Sequence, residues 1–424
     1  MSCVAIIADD LTGANDSGVE FVKKGFRTSV LFDHRVIAEL LTSRDALVLD
    51  TSSRSFSKHK AYETVREVAE ALKKAGATDV VKKMDSTLRG PFVQETQAIV
   101  EIFSPDWVVI APAFPRMGRT TRDGVHYVHG EIITETEFSE DPKTPVKHAR
   151  IADYLQEEGI HPVHFSIDNM KQGQGSFPDK QGTKWVVADA ETDQDLSQLV
   201  EVFRCKPGKV LWVGSAGLME HITPLVDTPN AFNKQGRADN VLIVSGSMSQ
   251  KTYEQVQRVG QHEDVFHITL HPNDVLSGHL TVPFVVDQVQ AAFQMGDSVV
   301  LAVDASEEAK RQSKILAKQS GVSTREVGAV LENLLSQVTK QIVELVEEVN
   351  GLVLTGGDTA KSICGALGVS GVDIVEEVES GLPHGLLVGL QRPVQVVTKA
   401  GGFGQEESLV NSLQVLKGGT NHVK

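Results

Sequence analysis

Cysteine is scarce. Cys3, Cys205 and Cys364 are the only three in 424 residues and lie far apart with no C-x-x-C pair, so neither a disulfide framework nor a zinc site is expected, and a reducing compartment fits. Long apolar runs are missing too: none approaches the roughly 20 residues that cross a bilayer. The opening MSCVAIIADD lacks a basic n-region and meets carboxylates at Asp9 and Asp10, so an export signal is not expected and the setting reads as cytoplasmic. Basic residues number 41 against 56 acidic ones, and the net charge of -15 repels phosphate backbones and anionic lipid alike. Nucleic acid and membrane are therefore disfavoured partners. Fixed-period repeats and low-complexity tracts are absent as well.

What is present is the composition of a folded protein, 41% hydrophobic and 23% charged. The length exceeds one ordinary core, since cores split beyond roughly 250–300 residues. Apolar runs at 4–8, 28–32, 46–49, 80–83, 108–111, 185–188 and 210–213 read as strands, with helical stretches at 58–74 and 91–103 between them, Pro91 suiting a first helical position. The polar segment DTPNAFNKQGRADN at 227–240 has no periodicity and reads as a linker. Strands follow at 241–244, 298–303, 351–355 and 394–398. A helix is expected over 324–348, with Val327, Val330, Leu331, Leu334, Val338 and Ile342 on its apolar face toward the second sheet. The expected fold class is α/β, with domains at 1–226 and 241–424, each a mainly parallel sheet flanked by helices and the active site in the cleft between them.

Three segments of the first half end strands in charge. Ala8-Asp9-Asp10-Leu11-Thr12-Gly13-Ala14 places two carboxylates at the carboxyl edge of a parallel sheet, where open α/β folds bind ligands; Asp10 or Thr12 as a plain helix cap is the competing account. Asp50-Thr51-Ser52-Ser53-Arg54 and the run from Lys82 to Gly90 would share that edge. Arg54, Lys83 and Arg89 then supply positive charge for an anionic ligand, while Lys82 reads as a solvated strand end. A loop at 111–120, shaped by two prolines and a glycine, presents Arg119 as either a ligand contact or a solvated arginine. The rigid Asp141-Pro142-Lys143-Thr144-Pro145 has no role derivable from chemistry alone.

The second half carries glycine-rich turns after strands: Ser245-Gly246-Ser247-Met248-Ser249, Thr355-Gly356-Gly357-Asp358-Thr359-Ala360 and Lys399-Ala400-Gly401-Gly402-Phe403-Gly404. Glycine lets main-chain N–H groups approach phosphate oxygens, and helix N-termini add a partial positive charge. The stretch around Lys361 is no Walker loop, because positions 360 and 355 are Ala and Thr where glycines are required. H-R-D and D-F-G are missing, and no G-x-G-x-x-G follows the first strand.

In order along the chain stand I-A-D-D-L-T-G-A at 7–14, Ser53 and Arg54, K-M-D-S-T-L-R-G at 83–90, P-A-F-P-x-x-G-R-T at 112–120, S-G-S-x-S at 245–249, G-G-D-T at 356–359 and K-A-G-G-F-G at 399–404. Together they resemble the four-carbon acid sugar kinase family over nearly the whole length. The resemblance implies a sugar-acid-binding N-terminal domain, a nucleotide-binding C-terminal domain and ATP-dependent phosphorylation of a terminal hydroxyl, with ADP as product. It places substrate contacts on Asp10, Arg54, Lys83, Met84, Asp85 and Ser86; since a four-carbon acid offers one permanent charge that an arginine fork matches, Arg54 is expected to take the substrate carboxylate. Nucleotide contacts fall on Ser245, Ser247, Gly356, Gly357, Asp358, Thr359, Lys399, Gly401 and Gly402. Phosphoryl transfer implies Mg2+, with ligands unassigned, and both Asp358 and Asp10 qualify as the catalytic base. The segment 135–145 looks like the D-threonate branch, with D-erythronate or a 3-oxo-tetronate as alternative substrates. A non-catalytic ligand-binding regulator and a nicotinamide-dependent dehydrogenase are the remoter readings, and a homodimer is allowed for.

Overall fold

Residues 3–171, 182–223, 232, 236–296, 298–321 and 323–419 are described by the structure, a computed structural model. The chain divides into two compact units, Met1–Ala231 and Phe232–Lys424. Of the expected linker, residues 227–231 and 233–235 lie outside the described residues, and Asn240 already opens a strand. No described helix is long and apolar enough to cross a membrane.

In the first unit the described strands form a parallel sheet in the order β2 (Thr28–Leu31), β3 (Ala46–Asp50), β1 (Val4–Ala8), β4 (Asp79–Lys83), β11 (Val210–Gly214), β5 (Trp107–Ala111), β10 (Lys184–Ala188), β9 (Val163–Phe165). Every side chain of β1 and β5 is buried, as expected for a parallel sheet covered on both faces. The chain builds β2 and β3 on one side of β1, then crosses to β4 on the other, so the strand order reverses at β1. Open α/β sheets bind ligands in the crevice outside the carboxyl ends at such a point. The register sets Ala8 level with Asp50 of β3 and with Lys83 of β4. The three charged turns therefore emerge side by side.

Helix α1 (Leu11–Lys23) starts directly after Asp10, and α2 (Phe92–Phe103) follows Pro91, which sits at the N-cap and not inside the first turn as expected. The 111–120 loop is less irregular than its prolines suggest. Its end enters an antiparallel sheet of β6 (Arg119–Arg122), β7 (Val125–Val128) and β8 (Glu131–Ile132), closed by Gly118 at φ 70°.

In the second unit the order is β13 (Val265–Leu270), β14 (Ser298–Val303), β12 (Asn240–Ser245), β15 (Val349–Thr355), β18 (Gln395–Lys399), β17 (Leu382–Val388), β16 (Gly371–Glu379). The first five run parallel and β17 and β16 form an antiparallel hairpin on the end. Helix α3 (Thr324–Leu345) opens on a Ser323–Glu326 capping box. Its Val327, Leu331, Leu334, Val338 and Ile342 are buried as expected, but Val330 is 45% exposed, because it lies at the margin of the stripe that packs on α4 (Gly357–Leu367) and β15.

Candidate active site

Arg54 occupies the centre of the carboxyl edge of the first sheet. Its Nε and Nη2 clasp both oxygens of Asp9 at 2.8 and 3.2 Å, its Nη1 lies 2.7 Å from Asp10, and Asp85 is 3.6 Å from Nη2. The fork that the sequence offers to a substrate carboxylate is thus engaged by the protein's own acids. Asp10 accepts from Gly13 N–H at 2.8 Å and caps α1, so the helix-cap account of Asp10 holds. The side chain of Asp9 is 2% exposed and that of Asp10 26%, which makes Asp10 the member of the pair that reaches outward. Burial alone raises a carboxyl. Around Asp9 the cations Arg54, Lys82 and Lys83 outweigh burial and hold it below its ordinary value; at Asp10 burial prevails over Arg54, helped by the Asp9 charge, and the carboxyl is pushed up.

Lys82 is not a solvated strand end. It is 0% exposed, with Nζ 2.9 Å from Glu95 Oε2 and donating to Lys83 O at 2.6 Å. Glu95 in turn accepts from Ser53 Oγ, Ser53 Oγ meets Thr51 Oγ1 at 2.7 Å, and Thr51 Oγ1 donates to Ala8 O at 2.8 Å. The reason is the sheet: with both faces covered, alternate residues of β4 are buried on either side, and the face of Lys82 meets α2. One chain of buried polar contacts therefore ties together the ends of β1, β3 and β4.

The neighbouring Lys83 is buried, donates to Met84 O at 3.0 Å and lies against Gly13, where any Cβ would collide with its Nζ. Met84 is wholly buried and its N–H bonds Gly214 O at 2.8 Å, so only its main chain can meet a ligand. Ser86 O accepts at 2.8 Å from His126 Nε2; burial pushes the His126 pKa down to about 4, leaving a neutral ring that accepts from Thr121 Oγ1 through Nδ1 at 3.0 Å. Asp85 is held below the carboxylate range, against burial, by Arg54 and Arg89, and accepts from Thr87 Oγ1 and from Arg89 Nε at 2.8 Å. Arg89 extends further, to Asp141 at 3.3 Å and over the Phe138 ring at 5.5 Å from its centre. Asp141 caps its own turn by accepting from Lys143 and Thr144 N–H at 2.9 and 2.8 Å. The 135–145 segment is thereby fastened to the charged cluster, and a cavity of about 350 Å³ opens between Arg54, Gly90, Pro91, Lys143, Thr144 and Tyr154.

In the second unit the three glycine turns follow β12, β15 and β18, which are adjacent and parallel. They meet closely. A Cβ on Gly246 would strike Thr359 Oγ1, and one on Gly401 would come within 2.5 Å of Ser247 Oγ. Gly356, at φ 104° in a region other residues avoid, starts α4 with no side-chain cap. The first-turn N–H groups of α4 are thus left for a ligand, and a Cβ on Gly357 or Gly402 would meet nothing within 4 Å. Lys399 does not project from this cradle: its Nζ donates to Thr252 Oγ1, Ala400 O and Phe403 O at 3.1, 3.0 and 3.2 Å, and burial, with the Lys251 charge, lowers its pKa to about 8. Beside the cradle a cavity of about 210 Å³ is lined by Ser245, Ser247, Tyr253, His267, Thr269 and Asp304. Asp358 is exposed in the first turn of α4. Partial burial, then the Asp358 charge, raises the Glu332 carboxyl, so this pair of acids would gain from a cation.

Sequence reasoning passed over Lys82, Glu95, His126 and Asp141 as site-building residues. For Glu95 a signal existed: it lies three residues after Phe92 and four before Ile99, both buried, so a carboxylate falls on the apolar face of α2 and needs a partner.

Comparison with known proteins matches residues 4–222 to the family described as "Sugar-binding N-terminal domain" and residues 242–409 to "Nucleotide-binding C-terminal domain". A D-threonate kinase of Salmonella typhimurium is 34% identical over 97% of this chain and 98% of its own, and a D-erythronate kinase of Heliobacterium modesticaldum is 29% identical over 98% and 97%. A solved Haemophilus influenzae protein superposes with TM-score 0.77 at 22% identity, covering 97% of this chain and all of its own; it shares the fold. With both domain families matched in order and a full-length relative at that identity, the chain belongs to the four-carbon acid sugar kinases.

Proposed function

We propose that the protein transfers the γ-phosphate of ATP to the C4 hydroxyl of D-threonate, giving 4-phospho-D-threonate and ADP. The observation that carries this reading is the division of labour between the units: a cradle of main-chain N–H groups suited to phosphates in one, and a cluster of paired acids and arginines suited to a small polyhydroxy acid in the other. Preference for D-threonate is supported by the 34% identical relative.

In this reading Asp10 accepts the proton of the attacking hydroxyl, since it is the outward member of a carboxylate pair whose environments push the two apart. Arg54 keeps Asp9, Asp10 and Asp85 together, and Lys83, Met84 main chain, Asp85 and Ser86 complete the sugar-acid site. Ser245, Ser247, Gly356, Gly357, Thr359, Gly401 and Gly402 form the nucleotide site, with Lys399 holding its last loop in shape. A nucleotide-bound Mg2+ uses mostly phosphate oxygens and water and asks the protein for one or two carboxylates; Asp358 beside Glu332 fits that demand. Magnesium would neutralise charge on the phosphates.

ADP release measured side by side with D-threonate, D-erythronate and the 3-oxo-tetronates tests the assignment. D-threonate should give the highest kcat/KM. A higher value for another of these acids overturns the substrate, and no ADP with any of them overturns the kinase reading.

A further inference from the structure

A four-carbon sugar acid brings a permanent carboxylate into a crevice already crowded with acids, and some cation must receive it. The arginines at the edge of the first sheet are mostly spent. Arg54 presents its Nε–Nη2 edge to Asp9 and its remaining nitrogen to Asp10. Arg89 presents the same edge to Asp85 and its Nη1 to Asp141. Lys82 is consumed by Glu95, and Lys83 is buried beside Gly13, a point charge with no fork, and donates to Met84 O.

Arg119 differs from the other arginines of this edge. No carboxylate pairs with it among the described residues. Its Nη1 donates to Met117 O at 2.5 Å, while its Nε is buried with no hydrogen-bond partner. The edge that Arg54 and Arg89 each close on a carboxylate has no acceptor here. An N–H buried without an acceptor bears its full desolvation cost, and the side-on guanidinium edge is the one that matches a carboxylate with two parallel bonds.

The backbone beneath Arg119 is fixed. Arg119 N–H and C=O bond Phe114 O and N–H at 3.1 and 2.8 Å, Gly118 turns the chain at φ 70°, and Arg119 pairs with Val128 across the β6–β7 ladder. Its charge senses the cluster and the 135–145 segment together: burial lowers its pKa, with Asp85, Arg89 and Glu137 acting on it in turn.

We infer that Arg119, not Arg54, receives the carboxylate of the sugar acid through its unpartnered Nε–Nη2 edge, and so selects acids over the corresponding polyols. The inference rests on the kinase reading above for the identity of the acid. It also accounts for a cluster in which the other two arginines are already closed on carboxylates.

The test compares D-threonate with D-threitol, in which a hydroxymethyl group stands in place of the carboxylate, in the parent and in Arg119→Lys and Arg119→Gln. The lysine keeps the charge and loses the fork. For D-threonate, kcat/KM should fall at least about tenfold, mainly through KM, whereas the Kd for ADP, the melting temperature and the slow turnover of D-threitol stay at parent values. An unchanged KM for D-threonate overturns the inference. So does a parallel loss on both substrates, which marks a structural role. Calorimetric binding of D-threonate without ATP separates the two levels. If the parent binds the acid but releases no ADP, the kinase reading fails, and Arg119 is judged by whether its variants lose that binding. If the parent does neither, both fall.

Discussion

On the proposed function the two units meet anions by opposite means. In the first, recognition is built from side chains whose charges are paired before any ligand arrives: Arg54 with Asp9, Asp10 and Asp85, Arg89 with Asp85 and Asp141, Lys82 with Glu95. In the second it is built from main chain, with Gly356 at positive φ, Gly357 open to space and α4 uncapped. The contrast explains how a chain of net charge -15 can belong to a family that handles two anions. Dipoles would stand in for net charge at the proposed phosphate cradle, and local ion pairs hold the proposed sugar-acid site near neutrality, leaving one arginine edge unspent. It also says how each site should fail: the first by losing a charge, the second by gaining a side chain.

The sharpest break is at Asp10. Asp10→Asn keeps the size and capping oxygen and removes the base, so kcat for D-threonate should drop about 10²- to 10⁴-fold with ADP affinity unchanged; Asp358→Asn should cost less in kcat. A larger kcat loss at Asp358 would reverse the assignment of base. Next is the buried pair. Lys82→Met strands Glu95 in the interior, and removal of one partner of such a pair costs about 3–5 kcal/mol, to be read as a shift of the urea midpoint with ADP binding retained. A shift typical of a surface lysine would show that the pair is not held as described.

The second unit is tested by addition. The Cβ of Gly357→Val meets no protein atom within 4 Å. ADP binding should nevertheless weaken on the order of 100-fold, near 2.7 kcal/mol, while calorimetric binding of D-threonate is untouched. Parent-like ADP affinity would move the phosphates to another loop.

The smallest effect is on pH. Lys399 has a folded pKa lowered from 10.5 to about 8. Between those values the unfolded chain binds more protons, so this group makes stability rise with pH there. Its own donors weaken over the same range, so ADP Kd should increase a few-fold as pH passes about 8, the scale of one weakened hydrogen bond. Lys399→Arg should flatten that limb. On the acid side the sign is opposite for turnover: Asp10 must be ionised, so kcat falls as pH drops through a value above the ordinary carboxylate range.

Much of this was written locally in the sequence. The edges of β1 and β14 match the apolar runs to the residue, because a buried parallel strand declares itself as continuous Val, Ile and Leu. The three glycine turns and the I-A-D-D and K-M-D-S-T-L-R-G segments pointed to both candidate sites, because turn chemistry and strand-end charge are set by a few adjacent residues. What those residues pair with was not local. That Lys82 is buried against Glu95, that the Arg54 fork closes on Asp9, and that Arg119 keeps its own fork open depend on β1 lying between β3 and β4, with Ala8 level with Asp50 and Lys83. Val330 leaves the buried stripe for the same kind of reason, since which neighbours a helix meets decides how wide its apolar face must be. Sequence determined which charges gather at the edge of the first sheet; the tertiary structure decided which are spent on one another, because an ion pair is settled by distances of a few ångströms between strands that only the completed sheet makes neighbours.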